Sequence, residues 1–111
     1  MRFQSLVLLL LILFASATLN QATLGVWSPI KNICDPYVNE IARFAVVEYD
    51  KEKGEKLEFE KLIKGESQVV VGTNYRLTLS AKNGLSSNNY EAVVWDPLWK
   101  QYRRLTSFKR A

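Results

Sequence analysis

The sequence contains no histidine. That absence excludes Ser-His-Asp and Cys-His catalytic arrangements, histidine-based zinc sites and side chains that switch charge near neutral pH. It contains a single cysteine, Cys34, so an intramolecular disulfide, a CxxC redox pair and a thiolate metal cage are excluded as well. Cys34 as a nucleophile would lack a base to generate its thiolate. The expectation for it is a small buried hydrophobe, with an intermolecular disulfide as the other route. No Gly-rich phosphate loop or EF-hand pattern occurs, and no cofactor or metal is expected. With 111 residues, 48% hydrophobic and 23% charged, the chain has ordinary globular composition for one domain. These exclusions point to a binding module and not to an enzyme.

The one long apolar run lies at the start. Met1-Arg2-Phe3 carries a positive charge, residues 6–14 are continuously apolar, and Ala15-Ser16-Ala17 follows as a small-x-small cleavage pattern. The run is too short to span a bilayer, which needs about 20 residues. Residues 1–17 therefore read as a signal peptide cut after Ala17, or alternatively after Ala22. Residues 18–111 read as one secreted domain, with no membrane association after cleavage.

Asp35-Pro36 reads as an N-cap followed by proline in the first turn. Val38, Ile41, Ala42, Ala45, Val46 and Tyr49 then recur on one face of a helix, with Phe44 and Val47 widening the apolar sector. Lys51, Lys53 and Gly54 form a C-terminal signal, so the helix should run over Pro36–Lys53. A helix this apolar needs more than one contact surface, such as a sheet curling around it.

Beyond Gly54 the period becomes two. Leu57 and Phe59 alternate with Glu58 and Glu60, and the pattern slips at residues 61–63, where a β-bulge is expected. Tyr75, Leu77, Leu79 and Ala81 alternate with polar residues, as do Tyr90, Ala92 and Val94 with Glu91, Val93 and Trp95. Residues 105–108 form a short last strand, and a further short strand is expected within residues 27–30. Turns should fall at 72–74, 83–89 and Asp96-Pro97. The fold class is α+β, one helix against a four- to five-stranded antiparallel sheet.

Glu58 and Glu60 are the nearest approach to a catalytic carboxylate pair, but alternate strand carboxylates read first as a solvated face. Lys100, Arg103, Arg104, Lys109 and Arg110 cluster near the C-terminus. They suit either a charge-protected edge strand or a polyanion-binding surface. Gln68-Val69-Val70-Val71-Gly72 puts three valines at a hairpin, so at least one should face outward. Trp99, in the turn after Pro97, is either a lid on the core or an exposed anchor.

Gln68-Val69-Val70-Val71-Gly72 resembles the QxVxG motif of cystatins, the reversible inhibitors of papain-like cysteine proteases. Ile41-Ala42-Arg43-Phe44-Ala45-Val46-Val47-Glu48-Tyr49-Asp50 resembles the LARFAV-type helix signature of plant cystatins, whose last position is usually asparagine. The resemblance covers residues 24–108 in the family order.

It implies a helix wrapped by an antiparallel sheet, and a wedge of three elements that enters the protease cleft. On this chain the wedge maps to Gly25, to the hairpin Gln68, Val69, Val70, Val71 and Gly72, and to Trp99 with its neighbour Leu98. Two positions depart from the family pattern. Val26 follows Gly25 where plant members often have a second glycine, and Leu98 takes the usual proline position, with Pro97 one residue early. The implied function is reversible competitive inhibition of papain-like cysteine proteases, in plant defence. The targets would be the plant's own enzymes or those of a feeding insect, nematode or fungus. No nucleic-acid partner is implied. The protein would be apoplastic or vacuolar, and monomeric, with a domain-swapped dimer as the alternative. Two rival classes are a secreted basic module for polyanions or cell wall, and a non-inhibitory protein of the same fold.

Overall fold

The computed structural model describes residues 25–99 and 102–111. The leader, both expected cleavage points and Lys100 lie outside the described residues.

The helix α1 spans Pro36–Lys53, as its sequence signals require. The Asp35 side chain accepts the Tyr37 backbone N–H at 2.9 Å, and Gly54 closes the other end in the left-handed conformation. A further stop comes from Asp50, whose carboxylate accepts the Leu57 N–H at 3.1 Å and turns the chain back along the helix.

Five strands follow the order β1-β2-β3-β4-β5 in one antiparallel sheet: β1 Ser28–Pro29, β2 Glu58–Val69, β3 Thr73–Asn83, β4 Ser86–Asp96 and β5 Arg104–Arg110. The helix lies across one face and touches β2, β3, β4 and β5. Val38, Ile41, Ala42, Ala45 and Val46 meet Leu62, Leu77, Leu79, Ala92 and Val94 in one core. Ile41, Leu77, Leu79 and Val94 are fully buried, each side chain contributing about 1.5–3 kcal/mol of apolar burial. Phe108 on β5 stacks between Tyr49 of the helix and Tyr90 of β4, with ring centroids 4.2 and 5.2 Å away.

The β2–β3 register shifts twice, between Phe59 and Lys61 and between Leu62 and Lys64. These irregularities bracket the expected bulge. They let β2 bend and follow the helix while Leu62 stays inward.

Several expectations need correction. Cys34 is exposed, not buried. It sits in the loop before the helix, where its N–H is taken by the Asn32 side chain at 3.0 Å. The expected turn at 83–89 shrinks to Gly84-Leu85, because β3 runs to Asn83 and β4 starts at Ser86. Cross-strand pairing outweighs the turn propensity of the serines and asparagines there. Asp96 is not a turn residue. It ends β4 and is buried.

Candidate functional site

The hairpin between β2 and β3 turns through Val70-Val71-Gly72. A β-branched side chain and a left-handed backbone conflict sterically, yet Val71 adopts φ 31° at the tip. Val71 is 69% exposed and Val69 is also exposed, while Val70 is half-buried and donates its N–H to the Gly72 carbonyl at 3.1 Å. Two valines therefore face outward, where the sequence required at least one.

Gly72 has φ 105°, and a Cβ there would lie 2.5 Å from the Asp96 carbonyl oxygen and 2.6 Å from the Pro97 Cα. The close approach that demands glycine is thus between the two hairpins themselves. The second hairpin, between β4 and β5, leaves the sheet at Asp96. Pro97 is buried, Leu98 is 77% exposed and Trp99 is 47% exposed. The Trp99 ring meets Trp95 edge-on, centroids 6.4 Å apart, and the Tyr102 N–H reaches the Trp99 carbonyl at 3.3 Å. Trp95 alternates with the core residue Val94 along β4, and Trp99, half-exposed against it, lies outside the core cluster and is not a lid.

The N-terminal segment is tied to the same end. The Gly25 N–H donates to the Val69 carbonyl at 3.3 Å, and Gln68 Nε2 donates to the Gly25 carbonyl at 2.9 Å. Gln68 Oε1 accepts from Asn74 Nδ2 at 3.0 Å, which fixes the amide orientation. One step back, the Arg76 guanidinium covers the Trp27 ring at 4.3 Å and pairs with Glu66 at 2.6 Å. Gly25, Gln68, Val69, Val70, Val71, Gly72, Leu98 and Trp99 therefore come together along one end of the sheet.

Among the described residues, the carboxylate pair Glu58 and Glu60 lies on β2, and Glu60 is engaged by serine hydroxyls. Glu60 accepts from Ser80 Oγ at 2.6 Å and from Ser87 Oγ at 3.1 Å. The Ser80 hydrogen bond in particular keeps its carboxyl below the ordinary glutamate range, the opposite of what a general acid requires. Among the described residues no group of acidic, histidine or cysteine side chains is arranged to hold a metal. The C-terminal basic residues that the structure describes differ in setting, and Arg104, Lys109 and Arg110 remain exposed. Arg103 is folded inward against Asp96 and Glu40, Lys109 lies 3.7 Å from Glu91, and Arg110 covers the Tyr90 ring.

Sequence reasoning missed the group behind the second hairpin. Asp96, 7% exposed, accepts from Tyr37 Oη and from Arg103 Nε, the latter at 3.0 Å. Burial and then the bond to Asp96 push the Tyr37 phenol upward. Burial opposes the Arg103 charge, but hydrogen bonds to Tyr37, Glu40 and Asp96 outweigh it and hold the guanidinium above its ordinary value. A signal for Asp96 existed: it continues the inward parity of Tyr90, Ala92 and Val94, and a carboxylate at a buried position needs a partner.

Comparison with known proteins agrees with this geometry. Residues 30–111 match a family model described as aspartic acid proteinase inhibitor. The chain is 53% identical over 108 residues to cysteine proteinase inhibitor 5 of Arabidopsis thaliana, covering 96% of this chain and 86% of that protein. It is 46% identical over 86 residues to cysteine proteinase inhibitor 1 of Actinidia chinensis var. chinensis, covering 78% and 74% respectively. Among solved structures, the salivary cystatin of the soft tick Ornithodoros moubata superposes with a TM-score of 0.68 at 19% identity, over 78% of this chain and 97% of that one, a likeness of fold alone. With its helix on a five-stranded antiparallel sheet and its plant relatives, the chain belongs to the plant cystatins, a family of proteinase inhibitors and not of enzymes.

Proposed function

We propose that the protein is a reversible, competitive inhibitor of papain-like cysteine proteases. It would enter the active-site cleft with the Gly25 segment, the hairpin from Gln68 to Gly72 and the turn carrying Leu98 and Trp99. The observation that carries this reading is the linkage of the three elements into one edge. Gln68 holds Gly25, and Gly72 abuts Asp96 at the foot of the second hairpin.

An edge already ordered loses little conformational freedom on docking. The side chains that would lead, Val71, Leu98 and Trp99, present apolar surface to solvent in the free protein. Covering the exposed half of the Trp99 indole removes roughly 100 Å² from water, about 2.5 kcal/mol before ordering costs. A wedge of this kind blocks a cleft without offering a peptide carbonyl to the catalytic thiolate, so the inhibitor is released intact.

The relatives are named as inhibitors of cysteine proteinases, which favours this class of partner. The family model over residues 30–111 is described for aspartic acid proteinases and supports a second reading, in which the same fold blocks an aspartic protease. Titrating papain and pepsin in parallel separates the two. Competitive inhibition of papain near nanomolar concentrations, with pepsin unaffected, is the expected result. Inhibition of pepsin alone would transfer the function to the second reading.

The reading includes secretion after removal of residues 1–17, and a monomeric inhibitor. N-terminal sequencing and light scattering of the protein recovered from plant tissue test these two points.

A further inference from the structure

We propose that Asp96 is a positioning residue for the inhibitory edge: its ion pair with Arg103 closes the neck of the loop that carries Leu98 and Trp99, and its backbone seats that loop against Gly72. For its consequence on inhibition, this rests on the function proposed above.

Asp96 is the last residue of β4, and Arg103 immediately precedes β5. The contact between Asp96 Oδ1 and Arg103 Nε at 3.0 Å therefore joins the two ends of the loop. Both side chains are well covered, at 7% and 13% exposure, so the pair is shielded from solvent far more than a surface salt bridge.

Neither partner stands alone. Tyr37 Oη donates to the other Asp96 oxygen, and Arg103 Nη1 reaches Glu40 Oε2 at 2.8 Å. Tyr37 and Glu40 sit in the first two turns of α1, so the neck of the loop is fastened to the helix as well as to itself. The Arg103 guanidinium also packs over the Tyr37 ring, 5.3 Å from its centroid.

The third connection runs through the main chain. The Asp96 carbonyl oxygen and the Pro97 Cα occupy the space that a Cβ at Gly72 would fill. Asp96 and Thr73 are register partners across β3 and β4. A displacement of Asp96 would thus move both hairpins relative to each other. The proline that follows fixes its own φ, and Leu98 and Trp99 lie one and two residues beyond it.

The test is a double-mutant cycle between Asp96→Asn and Trp99→Ala. Asparagine keeps the size and one acceptor but discards the charge that Arg103 meets. If Asp96 acts through Trp99, Asp96→Asn should weaken papain inhibition about tenfold or more beside Trp99, and less than about twofold when Trp99 is already alanine. Equal losses in both backgrounds, or no loss beside Trp99, would overturn the proposal.

A second readout needs no protease. The edge-on Trp95–Trp99 pair should give a near-ultraviolet circular dichroism signal that Trp99→Ala abolishes. Asp96→Asn should diminish that signal while the far-ultraviolet spectrum stays unchanged; an undiminished signal overturns the proposal. Should the unsubstituted protein fail to inhibit papain, the inhibitory reading falls, and this spectrum alone decides the role of Asp96. If Asp96→Asn does not fold, Tyr37→Phe and Arg103→Lys, each removing one partner of the carboxylate, carry the same two comparisons.

Discussion

Gln68 and Gly25, 43 positions apart in the chain, are joined by a hydrogen bond of 2.9 Å from the glutamine amide to the glycine carbonyl. The glutamine of the hairpin motif is thus a tether for a different segment. Replacing it by leucine keeps the bulk and removes the bond to Gly25 and the bond from Asn74. Each is worth about 0.5–1.5 kcal/mol net, so losing both should weaken inhibition about 5- to 150-fold. The Gly25 amide, which pairs with Val69, should also exchange with solvent faster. Papain titration with amide exchange checks both, and unchanged inhibition would show that the tether takes no part in binding.

Gly72→Ala should destabilise the protein by about 1–3 kcal/mol, because the new methyl group meets main-chain atoms that have no rotamer to escape into. A urea denaturation midpoint equal to that of the unsubstituted protein would mean that the two hairpins do not touch in solution.

Trp99→Ala should separate binding from stability. Its ring lies outside the core cluster, so the denaturation midpoint should correspond to a change below about 1 kcal/mol. Inhibition of papain should fall by at least about 2 kcal/mol, roughly 30-fold. A loss of stability with inhibition intact would return Trp99 to the role of a core lid.

Burial, reinforced by the charge of Asp96, pushes the Tyr75 phenol up to about 12. An unfolded tyrosine releases its proton near 10. Between about pH 10 and 12 the folded state therefore holds more protons than the unfolded one, and stability must decline as pH rises through that interval. Tyr75→Phe should remove part of this slope. Urea midpoints measured at successive alkaline pH values for both proteins test it, and identical slopes would rule Tyr75 out.

The helix was legible in full because every signal for it is local. Asp35, Pro36, the apolar spacing and Gly54 all act within a few residues of one another. Strand parity was equally local, and it placed Tyr75, Leu77, Leu79, Tyr90, Ala92 and Val94 correctly on the inward face. What local pattern could not supply was distance across the fold. Asp96 beside Pro97 resembles a turn until Tyr37, 59 positions away, is brought against it. Gln68 resembles a loop former until β1 carries Gly25 alongside it. Cys34 was expected inside on residue type alone, whereas its place in the loop before the helix leaves it in solvent. The Leu98 and Val26 substitutions were visible in the sequence, and the structure adds that both side chains are exposed to solvent.

None of the exposed tip side chains, Val69, Val71, Leu98 or Trp99, belongs to the core cluster. The scaffold and the proposed recognition surface are therefore chemically separable, much as in an antibody domain whose loops vary over a constant framework. A library randomised at these four positions should retain its melting behaviour while its members diverge in target preference. New specificities would then be selectable from this framework without re-engineering its interior.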